Sequence, residues 1–358
     1  MKLFKCTNCT QPVYFENTLC MQCGSALGFE PNMLETVALN VENNGLFSIK
    51  GKRSKTQYRY CSNYVYDVCN WLVPAGGDTG FCKACELNRT IPDISRPEFM
   101  QRWRAIENAK HRLIYQLLRM RLPLITKLQD EQTGLIFDFM ADETTDDSER
   151  VMTGHDNGVI TINIAEADDI EREMARRQMY EVYRTLLGHF RHEIGHYYWD
   201  RLMPYTDKLQ SFRKLFGDDE VDYAEALQKY YYAGVPANWN ENYISAYATM
   251  HPWEDWAETW AHYLHIIDTL ETAYSFGMSV HPLGTEAKRL HAEIKKDPYA
   301  IGDFEIIMEL WLPLTFAMNS LNRSMGLHDI YPFVISVPVK EKMKFIHEVV
   351  LKAGSKAQ

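Results

Sequence analysis

Residues 192–196 read His-Glu-Ile-Gly-His, two imidazoles four positions apart with a carboxylate next to the first. On a helix, positions i and i+4 share a face about one turn apart. Two imidazoles so placed reach one zinc ion. Glu193 is rotated one step from His192, toward the open side of the metal, where a carboxylate can act as general base on an attacking water. Zinc lowers the pKa of such a water to about 7, within reach of a carboxylate base. Three fixed positions in five also recur by chance, so the motif depends on its context. The context is a helical pattern from about Ala165 to Asp200, preceded by the β-rich segment GVITINI.

Zinc needs a further protein ligand. The extended pattern that adds a histidine six residues on, with a glycine midway, is excluded because Trp199 and Leu202 hold those positions. The other route is a glutamate on a second helix, and HPWEDWAETWAHYLH supplies one. Glu254 and Glu258 stand at i and i+4 on a shared face. One can bind zinc, while the other accepts a hydrogen bond from a ligating histidine and fixes its tautomer. Trp253, Trp256, Trp260 and Tyr263 bury the same helix, which directs the acids into a polar site rather than to a solvated face. His251 and His262 are close enough in sequence to compete as ligands.

A second chemistry lies at the front of the chain. All eight cysteines precede residue 86. Cys6, Cys9, Cys20 and Cys23 form two CxxC knuckles, the spacing of a tetrahedral four-thiolate zinc site. Cys61, Cys69, Cys82 and Cys85 form a looser second set ending in one more CxxC, whose alternative is four buried or redox-active thiols. With no export signal visible in MKLFKCTNCT, disulfides are the poorer explanation and a cytoplasmic location is expected. A module as small as residues 1–28 draws much of its folding free energy from the metal. Such ribbons bind proteins or nucleic acids, or staple a fold.

The elements that position these residues follow from pattern. VALNV and LFSIK read as strands in a β-rich connector, and LIFDFM and GVITINI as further strands. A helix is expected from about Pro97 to Leu128, capped by Ser95, with Pro123 kinking it or ending it early. The run DETTDDSER reads as a solvated turn. Further helices are expected at 220–233, around 241–249, from Pro252 to about Tyr274, and at 284–296, 303–322 and 340–352. His189 and Arg191 read as structural. The fold class is α+β, mainly helical with a small sheet. The domain reading is a ribbon at 1–28, a β-rich connector with the second four-cysteine module at 29–95, a catalytic domain at 96–330, and a C-terminal helix and tail at 331–358.

Composition excludes other classes. A 13% aromatic content argues against disorder, and no run of 18 apolar residues exists to span a membrane. Charge is uneven: residues 1–128 carry 17 Lys+Arg against 10 Asp+Glu, and residues 129–358 carry 21 against 38. A basic front and an acidic back suggest two units with different surfaces. Zinc thiolates, absent from the formal count, explain the front better than nucleic-acid binding does.

These residues carry a resemblance. CTNC…CMQC, CNWLVPAG, FCKACELNRTIPD, RHEIGHYYWDRL and HPWEDWAETWAHYL together resemble a family of zinc-binding metallopeptidases that join an N-terminal zinc ribbon to an HExxH domain. The resemblance implies a zincin-like domain hydrolysing peptides or proteins, with one catalytic and two structural zinc ions. More distantly the arrangement is similar to the gluzincins. That likeness implies His192, His196 and Glu254 as ligands, Glu193 as general base and Glu258 as the residue that orients a ligating histidine. By likeness to the lethal-factor type, Tyr247, seven residues before Glu254, stabilises the oxyanion; its alternative is a packed core tyrosine beside Tyr243. The chain departs from the pattern in its 58-residue gap from His196 to Glu254, which makes residues 205–250 an inserted helical segment that can cover the site. By the same analogy VITINI is the sheet edge lining the cleft. The rival reading is a binding protein, with ribbons that recognise protein or nucleic acid and a regulated or inactive zincin scaffold.

Overall fold

The computed structural model describes residues 1–358 except 53–55, 78, 143–150, 169–171, 173–184, 205, 284–287 and 357–358. The solvated turn expected at DETTDDSER lies outside the described residues apart from Asp142, as does most of 169–184.

The front of the chain is built from short strands. A two-stranded hairpin, β1 (Phe4–Lys5) with β2 (Pro12–Val13), precedes a five-stranded antiparallel sheet. That sheet runs in chain order through β3 (Leu27–Glu30), β4 (Glu35–Val41), β5 (Phe47–Ile49), β6 (Tyr58–Tyr60) and β7 (Leu72–Pro74). Strands this short bury little area by themselves, and their support is aromatic. Phe4, Phe15, Phe29 and Trp71 pack into one cluster that also contacts Tyr115, with Phe15 and Tyr115 ring centroids 5.6 Å apart. Asn70 Nδ2 donates to the Phe15 carbonyl at 2.7 Å, tying the second cysteine module to the first. The chain then passes through β8 (Asn88–Thr90) into α1 (Pro97–Arg119), which carries Tyr115. One buried core therefore runs from Phe4 to Val350, beneath the charge asymmetry of the two halves.

The cap and length of α1 differ from the sequence reading. Arg96, not Ser95, stands at the N-cap, while Ser95 N and Oγ both donate to Asp93 Oδ1 at 3.0 and 2.7 Å. The helix ends at Arg119 and does not reach Leu128; Arg121 takes a left-handed φ of 56° and turns the chain before Pro123.

A four-stranded mixed sheet follows, ordered β10 (Gly154–Asp156), β11 (Val159–Asn163), β9 (Ile136–Met140), β8. β11 pairs in parallel with β9 and antiparallel with β10. The VITINI strand is thus interior, and β10 is the edge beyond it, because Asn157 and Gly158 at φ 47° and 83° close a tight hairpin.

Four helices build the site: α2 (Leu186–Leu202), α3 (Leu209–Phe216), α4 (Tyr223–Ala233) and α5 (Pro252–Ser275). Residues 239–249 hold only short 3-10 turns, Trp239–Glu241 and Tyr247–Thr249, in place of the expected helix. Ser245 Oγ accepts from Ala248 N at 3.2 Å, and Lys342 Nζ draws the Asn242 carbonyl out at 2.7 Å, both competing with a helical ladder. Beyond α5, residues 288–294 form a 3-10 turn and β13 (Ala292–Glu293), paired with β12 (Ser279–Val280), rather than the helix expected at 284–296. Residues 291–294 alternate, His291 and Glu293 exposed and Ala292 and Ile294 buried, a period of two that fits a strand. The chain closes with α6 (Phe304–Ser324) and α7 (Val337–Lys356), close to expectation.

Candidate metal centre and active site

α2 and α5 cross in close contact, and sequence explains why they can. A Cβ on Gly195 would sit 3.1 Å from the Ala257 Cα and 3.2 Å from the Trp260 Cβ. A larger residue would push the helices apart. Trp256 Nε1 donates to the Gly195 carbonyl at 2.8 Å across the same crossing. Thr185 Oγ1 caps α2 by accepting from Gly188 N at 3.0 Å. On the far side Arg191 bonds Gln116 and Asp268, anchoring α2 to α1 and α5. His189 pairs with Glu166.

His192, His196 and Glu254 converge at this crossing. His192 Nε2 lies 3.1 Å from His196 Nε2 and 3.0 Å from Glu254 Oε2, and His196 Nε2 lies 3.5 Å from the same oxygen. A tetrahedral zinc with nitrogen and oxygen ligands at about 2.0–2.1 Å separates its donors by about 3.3 Å. Glu254 Oε2 is buried and accepts no hydrogen bond among the described residues. Two ring nitrogens and an orphaned carboxylate oxygen around one point fit a divalent ion. Among the described residues the group has three donors, one fewer than each cysteine cluster. His251 is consumed elsewhere: its Nδ1 accepts from Trp253 N at 3.0 Å as the cap of α5, and its Nε2 meets the Val221 carbonyl at 2.9 Å. His262 Nδ1 pairs with the Tyr331 hydroxyl at 2.9 Å.

The surroundings of the three donors are polar and specific. Glu258 Oε1 lies 2.7 Å from His192 Nδ1, fixing the ring so that Nε2 faces His196 and Glu254, where it would hold a metal. Glu193 is buried beside His192, His196 and Glu254, and burial raises its pKa against the pull of the two imidazoles. A raised carboxyl pKa suits a general base. The Tyr247 ring lies tilted beside His192 at a centroid distance of 6.2 Å, and burial together with the Glu254 charge keeps its phenol protonated. Trp253 covers the His196 ring at 3.7 Å between centroids.

Three features of the site have no counterpart in the sequence reading. Tyr223, on α4, donates its hydroxyl to Glu254 Oε1 at 2.8 Å. His155, on the edge strand β10, lies with its ring 6.3 Å from that of His196, and burial lowers its pKa to about 3. Gly195 is the close-approach residue described above. Only the glycine carried a local signal, through its place between the two histidines.

Both cysteine sets assemble. In the first, Cys6 and Cys23 sulfurs are 3.7 Å apart and those of Cys9 and Cys20 are 3.6 Å apart. In the second, Cys69 and Cys82 are 3.7 Å apart, and Cys61 and Cys85 complete the group. Zinc–sulfur bonds of about 2.3 Å place tetrahedral sulfurs about 3.75 Å apart, which both clusters fit. The knuckles of the first set share a turn: Thr10 N bonds the Cys6 carbonyl and Gly24 N the Cys20 carbonyl, both at 2.9 Å, with φ of 65° and 67°. The second set backs onto α1, where His111 Nε2 lies 3.7 Å from Cys85 Sγ and fully buried Lys110 pairs with Glu107 at 2.9 Å.

Comparison with known proteins agrees with this geometry. Residues 99–349 match the family described as "Putative zinc-binding metallo-peptidase", and residues 3–96 match a zinc-ribbon domain family. The chain belongs to that zinc-binding metallopeptidase family, with an N-terminal zinc-ribbon domain. Proteins of Mycobacterium bovis and Mycobacterium tuberculosis, each named only as an uncharacterized protein, are 42% identical over 353 residues, which is 98% of this chain and 95% of theirs. No solved structure matches the chain. Among the described residues no helix is long and apolar enough to cross a membrane.

Proposed function

We propose that this protein is a zinc-dependent peptidase of gluzincin-like zincin type that hydrolyses peptide bonds in a peptide or protein substrate. The observation that carries the reading is the convergence of His192 Nε2, His196 Nε2 and Glu254 Oε2 within 3.0–3.5 Å of one another, with buried Glu193 alongside. Bound zinc supplies Lewis-acid polarisation of the scissile carbonyl and a lowered pKa for water. Glu193 takes the proton of the attacking water and passes it to the leaving amine. Tyr247 donates a hydrogen bond to the carbonyl oxygen as negative charge develops there. Glu258 holds His192 in the tautomer that presents Nε2. An extended substrate pairs with the free edge of β10, the strand that brings His155 next to His196. The two cysteine clusters hold structural zinc, giving three ions per chain, and the expected location is the cytoplasm.

A second reading draws on the exposed apolar side chains of the first ribbon, where Tyr14 is 79% and Met21 88% exposed. Such a surface suits docking of a protein or nucleic-acid partner, with the peptidase domain under its control.

The test is metal content by mass spectrometry with a peptide-cleavage assay. Wild type should carry three zinc ions, Glu254→Ala two, and Glu193→Ala three without cleavage. Two ions in wild type, unchanged in Glu254→Ala and not restored by added zinc, would sink the peptidase reading.

A further inference from the structure

The ligating carboxylate is held from a direction that the motif does not contain. Glu254 Oε2 faces His192 and His196, while its other oxygen, Oε1, accepts a hydrogen bond from the Tyr223 hydroxyl at 2.8 Å. A carboxylate so divided presents one oxygen to the ion and cannot swing to present both without losing the phenol.

Tyr223 belongs to an element with little hold on the core. No side chain of α4 is buried, and Tyr231 and Tyr232 are largely exposed. The ties that seat this helix lead to the site. The Tyr223 ring packs against His251 at 5.4 Å and edge-on to Trp253 at 5.9 Å, and Tyr230 meets Tyr247 at 6.0 Å. His251, the cap of α5, also meets the carbonyl of Val221, two residues before Tyr223. Left-handed glycines bracket the segment, Gly217 at φ 110° and Gly234 at φ 73°. The segment is thus a surface helix whose attachments surround the metal ligand Glu254.

We propose that Tyr223 is a positioning residue for the metal ligand Glu254, and that through its phenol the seating of helix α4 sets how firmly the third ion is held. The proposal rests on the metallopeptidase reading and deepens it by making the inserted segment part of the metal centre. Hydrogen-bond partners of metal ligands tune affinity by about 10–100-fold, which sets the scale of the effect. A substrate or partner that lifts α4 then weakens the site, and one that seats it strengthens it.

The test uses the full chain and a chelator competition that follows release of the third zinc while the cysteine-bound ions stay in place. Tyr223→Phe should lower affinity at that site by about 10–100-fold, with the thermal transition and the other two ions unchanged. Gln228→Pro, at an exposed position that breaks α4 from within, should have the same selective effect with the phenol still present. Unchanged affinity in Tyr223→Phe overturns the positioning role, and unchanged affinity in Gln228→Pro alone overturns the part played by the helix. Wild-type protein that holds only two ions, with no response to Glu254→Ala, removes the metal site itself and the proposal with it.

Discussion

At the second cysteine cluster four buried sulfurs close a tetrahedron, Trp71 N and Cys82 N each approach a sulfur at 3.4 Å, and Lys110 and His111 stand behind. At the crossing of α2 and α5 three donors meet among the described residues, Glu193 and Tyr247 lie buried near them, and Tyr223 bonds Glu254. The cysteine geometry leaves an ion nothing to do but hold chain together. The histidine geometry has one donor fewer, with the buried carboxyl of Glu193 and the phenol of Tyr247 beside it. The contrast between the two kinds of centre is thus one of donor number, four sulfurs against two imidazoles and a carboxylate among the described residues.

The largest effect should come from stripping metal. In zinc-finger peptides, binding contributes about 10–16 kcal/mol, all of it folding free energy. Hydrogen exchange on chelated protein should show lost protection from β1 to β7 and into α1, through the Phe15–Tyr115 contact, while α2 and α5 keep theirs. Uniform loss in all helices would erase the contrast. Next, Glu193→Ala should lower kcat by about 10²–10⁴-fold at unchanged zinc content, as expected for removal of a general base. A cleavage rate within a factor of two of wild type would count against the assignment. At the closed centre, Lys110→Met leaves Glu107 buried without its ammonium, and breaking such a pair costs about 3–5 kcal/mol. Denaturant titration reads this directly, and cleavage per folded molecule should not change. The smallest effect should be Glu258→Gln, which weakens the third zinc by about 10–100-fold through loss of the His192 anchor. Isothermal titration of zinc into protein depleted of the third ion alone, with the cysteine-bound ions retained, measures it, and equal affinities would mean that the carboxylate does not orient the ring.

The centre of the site was legible because its logic is local. His192 and His196 share a helix face by spacing alone, Glu254 and Glu258 do the same on a second helix, and Cys6 to Cys23 carry knuckle spacing. The likeness to the gluzincins named Glu254 as the third ligand, and the structure adds that the competing His251 and His262 are engaged with Val221, Trp253 and Tyr331. The expected helix at 284–296 failed because a short apolar run does not separate a period of two from one of 3.6 until its pairing partner, β12, is known. The sheet edge failed for a similar reason: an alternating strand does not reveal which neighbour it has, and β10 was too short to be read.

Sequence by itself named the candidate donors, two histidines one turn apart and two acids one turn apart on a second helix, because ligand chemistry is fixed by residue type and helical spacing is fixed by the backbone. It determined the two cysteine modules for the same reason. Only the tertiary structure decided that His251 and His262 are engaged away from the histidine pair, that Tyr223, 31 residues before Glu254, bonds that acid, and that the cysteine modules and α1 share one aromatic core. Those outcomes depend on packing between elements distant in sequence, where the energy lies in contacts that no local spacing encodes.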